Sequence, residues 1–220
     1  MDQALKFQDV VADELPGGVS FALPGGTLTA VITSRQDEND QLVRLVLGLS
    51  KPDAGSVSLL GADLAGVSKK ALNDLRKQVA VVYPSGGLVS NLKVWENLVL
   101  PLEYHSACTR SEIEARGLAV LKRVGYSGGL MELPGHLSIY QKRLVGLARA
   151  MLTGPRLMIY NAILLGLRSE EKSAIIAAAL EYHRENPERT SLFLTPNPES
   201  LKEIPFDSRI FLKGSAPHDE

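Results

Sequence analysis

The stretch Ala30-Val31-Ile32-Thr33-Ser34-Arg35-Gln36-Asp37-Glu38-Asn39-Asp40-Gln41-Leu42-Val43-Arg44-Leu45 decides how this chain folds. An apolar run, Leu28–Ile32, reads as a buried strand. Beyond a short polar loop, Leu42, Leu45, Val46 and Leu49 fall at helical spacing, which predicts a helix from about Glu38 to Leu47. The loop between them is acidic, with Asp37, Glu38 and Asp40 in close succession. Carboxylates at a helix N-terminus accept hydrogen bonds from free backbone N–H groups and complement the helix dipole. Asp37 with Asp40, or Glu38 with Gln41, is expected to fill that role, rather than to form a metal site.

Outward from this centre, Leu5–Val11 and Val19–Leu23 read as strands set off by the glycine-rich turns Pro16–Gly18 and Pro24–Thr27. Ser56–Leu60 and Val79–Tyr83 are further strands, with a short helix at Lys69–Lys77 between them. The pattern then turns helical over Val94–Leu100, Arg110–Val124 and Ser138–Leu152. Leu157–Tyr160, a helix at Ser169–Arg184, Ser191–Leu194 and Arg209–Leu212 restore the alternation of strand and helix. Such alternation predicts an α/β protein: a core sheet, N-terminal antiparallel strands and an inserted helical subdomain. The expected division is a core of residues 1–87 and 150–213, a helical subdomain of 88–149, and a flexible tail at 214–220.

With 220 residues, the chain is long enough for a substantial core. Twenty-four Lys+Arg against 25 Asp+Glu give a net charge of −1, which argues against a nucleic-acid binder. Cys108 is the one cysteine, so no internal disulfide is available, and a reducing compartment is expected. His105, His136, His183 and His218 show no metal-ligand spacing with it. Met1–Lys6 lacks the basic-then-apolar layout of a signal peptide, and no apolar run approaches the ~20 residues of a membrane helix.

Several segments, taken together, resemble the ATP-binding subunits of ABC transporters. Thr33–Asp40 lies where that family carries G-x-x-x-x-G-K-[ST], the phosphate-binding loop. In this register Thr33 and Glu38 replace the glycines, Asn39 the lysine and Asp40 the hydroxyl residue. Val81-Val82-Tyr83-Pro84-Ser85-Gly86-Gly87-Leu88 resembles the Q-loop region, with Pro84 in place of the glutamine. Leu137-Ser138-Ile139-Tyr140-Gln141 is similar to LSGGQ, keeping Ser138 and Gln141 and losing both glycines. Leu157–Ile163 lies on the Walker B strand, with Asn161 for the magnesium aspartate and Ala162 for the catalytic glutamate. Arg168 stands for the D-loop aspartate, Pro196 for the switch histidine, and the adenine-stacking aromatic is missing between Val11 and Val19.

The resemblance implies a P-loop-NTPase-like, RecA-like core. The substitutions imply a pseudo-ATPase, with no catalytic residues and with ATP and magnesium lost. Residues 85–102 are most similar to the ATPase subunits of Mla-type phospholipid transporters. That likeness implies a non-hydrolysing structural or regulatory subunit on a membrane permease, in lipid transport, at the inner face of the cytoplasmic membrane. Ser85, Gly86, Leu88 and Trp95 are the expected permease contacts, beside the reading of Trp95 as a buried packing residue. The implied assemblies are a homodimer or a heterodimer with an ABC ATPase. In the heterodimer, the Ser138 segment would complete the partner's active site in a partner-dependent ATPase.

Overall fold

The computed structural model describes residues 3–105 and 108–212; the expected tail at 214–220 lies outside them, as do the side chains of His105 and His218. Two compact units emerge. The first comprises Met1–Val81, Arg156–Ala162 and Asn186–Glu220, and the second Val82–Pro155 and Ile163–Glu185.

The first unit holds both sheets. Strands β1 (Gln3–Ala12), β2 (Leu15–Pro24), β4 (Ala54–Leu59) and β5 (Ala62–Asp63) form an antiparallel sheet in the order β2-β1-β4-β5. Pro16–Gly18, expected as a turn, belongs instead to β2, and the hairpin turns at Asp13–Glu14. The physical reason is position. An edge strand leaves one row of N–H groups unpaired, so a proline there breaks no ladder.

The second sheet runs β6-β7-β8-β3-β9, with β3 at Leu28–Ile32, β6 at Val79–Val82, β7 at Leu157–Asn161, β8 at Thr190–Thr195 and β9 at Ser208–Phe211. Strand β6 ends on the boundary of the unit. β3 lies between β8 and β9 and is parallel to both, and β7 is parallel to β8. Every residue of β3, β7 and β8 is buried, as expected of strands covered on both faces. Tyr160 of β7 stacks on its cross-strand neighbour Phe193 of β8, with ring centroids 4.2 Å apart. Helix α1 (Gln36–Val46) follows β3 and buries Leu42, Val43, Leu45 and Val46, while α2 (Lys69–Arg76) begins at its cap, Ser68.

The second unit is helical: α3 (Val94–His105), α4 (Arg110–Arg123), α5 (Ile139–Leu152) and α6 (Ser169–Arg184). Helix α3 runs past the expected end at Leu100 and carries Pro101 inside it. Thr109 and Glu112 close a reciprocal capping box on α4. The segment after β6 is laid down on α5 at a glycine pair. A Cβ on Gly146 would come within 2.4 Å of the Gly86 carbonyl oxygen, and one on Gly86 within 2.3 Å of the Lys142 carbonyl oxygen. Gly86 also takes φ +80, where a side chain is strained. Gly146→Ala is therefore expected to cost about 1–3 kcal/mol, as other overpacked sites do. Urea denaturation checks this, and an unchanged midpoint would mean that the two segments separate freely.

Candidate functional site

In the first unit, the parallel strands bring seven of the substituted positions to one end of the sheet. Thr33 follows β3 directly, Asn161 ends β7 with Ala162 just beyond it, and Pro196 follows β8. Glu38, Asn39 and Asp40 sit on the first turns of α1. The Thr33 amide donates to the Thr195 carbonyl at 3.0 Å, and the Ala162 amide to the Leu194 carbonyl at 2.8 Å, so the strand ends are tied to β8.

The polar groups at this end satisfy one another. Thr33 Oγ1 donates to Asn39 Oδ1 at 2.7 Å, with both residues buried. Asn161 is fully buried at the end of β7, and its Nδ2 donates to Asp40 Oδ1 at 2.7 Å. Gln36 Nε2 donates to Asp40 Oδ1 at 3.0 Å and to Asn161 Oδ1 at 2.9 Å. Gln36, Asp40 and Asn161 thus close a ring in which one carboxylate oxygen accepts from two amides. Gln36 is the member that sequence reasoning missed. Its role depends on a residue 125 positions away, and no local pattern announces it.

The capping expectation is not met: no side chain caps α1, Gln41 donates to Ser50 Oγ at 3.5 Å, and Glu38 holds a loop amide ahead of the helix instead. Glu38 Oε2 accepts from the Ser34 amide at 2.8 Å, while Glu38 Oε1 lies 3.6 Å from Arg35 Nε. Asp37 is exposed, Asp40 is turned to the ring, and the cap residue Arg35 makes no side-chain cap bond. Arg35 also pairs with Glu14 at 3.3 Å.

The remaining site residues belong to the second unit. The Pro84 carbonyl accepts from Arg143. Ser138 caps α5: its Oγ accepts from the Gln141 amide at 3.2 Å, and the Gln141 side-chain oxygen accepts from the Ser138 amide at 2.9 Å. Ile139 is exposed and Tyr140 half-buried. Burial, then the nearby Glu171 carboxylate, raises the Tyr140 hydroxyl above its ordinary pKa. Ser138→Ala is expected to cost about 1 kcal/mol, the usual loss for a capping hydroxyl. A chemical denaturation curve tests this, and a neutral result would remove capping as the explanation for the serine.

Ser85 is exposed, Gly86 is buried against α5, and Leu88 is half-buried. Fully buried Asn97 fixes the chain beyond them by accepting from the Val89 amide at 2.7 Å and donating to the Leu92 carbonyl at 2.8 Å. Trp95 is half-buried, and a Cβ on Gly117 of α4 would meet its ring at 2.7 Å. The same tryptophan lines a groove of about 530 Å³ with Glu103, Ile113, Leu118 and Leu130. Packing residue and groove wall are therefore one and the same side chain.

Known proteins are similar to this chain in sequence and in fold. The ABC transporter family model matches residues 41–161. The methionine import ATP-binding protein MetN of Rhizobium meliloti is 32% identical over 196 residues, covering 89% of this chain and 54% of that protein. MetN of Caulobacter vibrioides is 31% identical, covering 82% and 56%. The chain thus spans about half the length of the curated relatives it matches. In fold, it is similar to the dimeric structure of the bacterial ABC transporter cassette MJ0796, with a TM-score of 0.82, 19% identity and 94% of each chain covered. A post-hydrolysis state of that cassette, bound to ADP and Pi, matches with a TM-score of 0.77 and 20% identity, covering 89% of each chain.

These findings correct two expectations. The relatives are methionine import proteins, not members of the Mla-type branch. They are also ATP-binding, which overturns the expectation that the cofactors ATP and magnesium are lost. The chain's own donors suit the metal better than the phosphates. Asp40, with the side-chain oxygens of Asn161 and Gln36, supplies the hard oxygen atoms that magnesium takes. For the phosphates, Arg35 is the cation on the loop, among the carboxylates Glu14 and Glu38. The family model covers more than half of the residues, from Gln41 within α1 to Asn161 at the end of β7: the chain belongs to the ABC transporter family.

Proposed function

We propose that this chain is an ABC transporter ATP-binding subunit that serves a membrane permease in a structural or regulatory role, without hydrolysing ATP in its own site. The observation that carries this reading is the end of β7. Asn161 is engaged by Asp40 and Gln36, and Ala162 has no side chain able to accept a proton from water. General-base assistance contributes typically 10²–10⁴-fold to a rate, and a methyl group supplies none of it. The likeness to methionine import proteins favours an importer of a small solute over lipid carriage. Among the described residues no helix is long and apolar enough to cross a membrane, so in this reading the permease holds the chain at the membrane's inner face.

The contact would lie in the second unit, at Ser85, Gly86 and Leu88 and at the Trp95 groove, where apolar Ile113, Leu118 and Leu130 stand beside charged Glu103, Arg110 and Glu114. Affinity purification of the full chain from its own cells is expected to bring a polytopic membrane protein with it. Trp95→Ala is expected to cut that recovery about tenfold or more, as loss of an aromatic anchor does. Equal recovery with Trp95→Ala, while the variant keeps its fold by circular dichroism, would move the contact elsewhere. Recovery of no membrane protein would remove the permease role altogether.

A further inference from the structure

The second unit contains a buried cation with an unusual set of partners. Arg143 of α5 is 5% exposed, and its three acceptors are all backbone carbonyls. Nε donates to the Pro84 carbonyl at 2.6 Å. Nη1 donates to the carbonyls of Ile163 and Leu165, each at 2.7 Å. One guanidinium therefore joins two segments far apart in sequence: the one that follows β6 and the one that follows β7. Its planar fork of donors is what makes this possible, because a lysine ammonium is a point charge without that geometry. Burial lowers the Arg143 pKa against the opposing pull of the Glu171 carboxylate, and the carbonyl dipoles replace the water that the guanidinium loses.

The first of these segments is clamped along α5 at two further points. Gly146 meets the Gly86 carbonyl, and Arg149 Nη2 donates to the Gly87 carbonyl at 2.7 Å. Arg143, Gly146 and Arg149 are spaced by three residues and so share one face of the helix. Residues 84–87 cannot shift along that face without disturbing Arg143, and Arg143 cannot turn without releasing Ile163 and Leu165.

We propose that Arg143 is a mechanical link that passes a displacement of residues 84–88 to residues 163–166. It is a positioning residue and touches no reacting atom. The inference rests on the permease reading only for what would displace residues 84–88 in the cell; the link itself belongs to this chain alone. Its test therefore needs no permease, and failure of the link is distinct from failure of the co-purification above.

Hydrogen exchange of the full chain measures both segments at once. Gly87→Ala displaces the first segment, because φ is +61 there and a Cβ would lie 2.9 Å from the Tyr83 ring. In the otherwise unchanged chain, this substitution is expected to speed exchange in residues 163–166 as well as in 84–88, by about tenfold for the loss of one charge-assisted bond. In an Arg143→Lys background, both segments start faster, and adding Gly87→Ala should move 84–88 alone. If the Gly87→Ala chain does not hold its fold, Arg149→Lys loosens the same segment from its other end. Residues 163–166 that stay unchanged on Gly87→Ala, or that respond equally with and without Arg143, would overturn the proposal. A merely stabilising Arg143 would raise exchange across α5 without this conditional pattern.

Discussion

Asn161→Asp is expected to destabilise the chain by about 3–5 kcal/mol at neutral pH, the range for leaving a charge buried without a partner. The native amide donates to Asp40 Oδ1 at 2.7 Å. A carboxylate in its place would put two like charges in contact, one of them fully buried. The cost should depend on pH with a definite sign. Burial and the Asp40 charge raise the new carboxyl's pKa in the folded state above its unfolded value of about 3.9. The folded variant then binds more protons than the unfolded chain between those two values, so its stability falls as pH rises through that window. Denaturation curves at pH 4.5 and pH 7.5 should therefore lie closer to the native protein at the lower pH. Magnesium chloride should recover part of the loss at pH 7.5, because two carboxylates with amide oxygens form a hard oxygen site. Sodium chloride at equal ionic strength should recover less. A variant as stable as the native chain at neutral pH would mean that the ring does not hold α1 to β7.

The second large effect concerns turnover. The purified chain, assayed with MgATP beside an intact ABC ATPase, should hydrolyse ATP about 10²–10⁴-fold more slowly from loss of the base alone. Ala162 sits buried just beyond β7 at φ +47, a conformation uncommon for any residue but glycine. Ala162→Glu alone should leave turnover low, since Asn161 still occupies Asp40. Hydrolysis by the native chain at the control's rate would overturn the non-hydrolysing reading and require another group to accept the proton.

Much of the fold is legible because its signals are local. The uninterrupted apolar runs of β3, β7 and β8 announce strands buried on both faces, and Ser138 and Gln141 stand at the spacing of a reciprocal cap. What stays hidden depends on neighbours distant in sequence. Pro16–Gly18 looks like a turn until β2 is known to be an edge. Asp40 looks like a helix cap until β7 brings Asn161 to it. Arg143 and Arg149 read as ordinary helix residues, since no pattern in α5 shows that the carbonyls of other segments lie along it. The substituted positions themselves are readable one by one. Their mutual satisfaction is not.

The interior place of β3, between β8 and β9, also dictates when this sheet can be completed. Its partners on either side, β8 and β9, lie far later in the sequence. As the polypeptide leaves the ribosome, the antiparallel hairpin of β1 and β2 can close at once, and β4 joins it soon after. Leu28–Ile32 must wait, an apolar strand with both edges bare, until β8 and β9 have been made. Such long-range parallel pairing is slow and prone to aggregation while it is pending. Nascent chains stalled before Ser208 should consequently be the species that chaperones bind, and release should follow once β9 has been delivered.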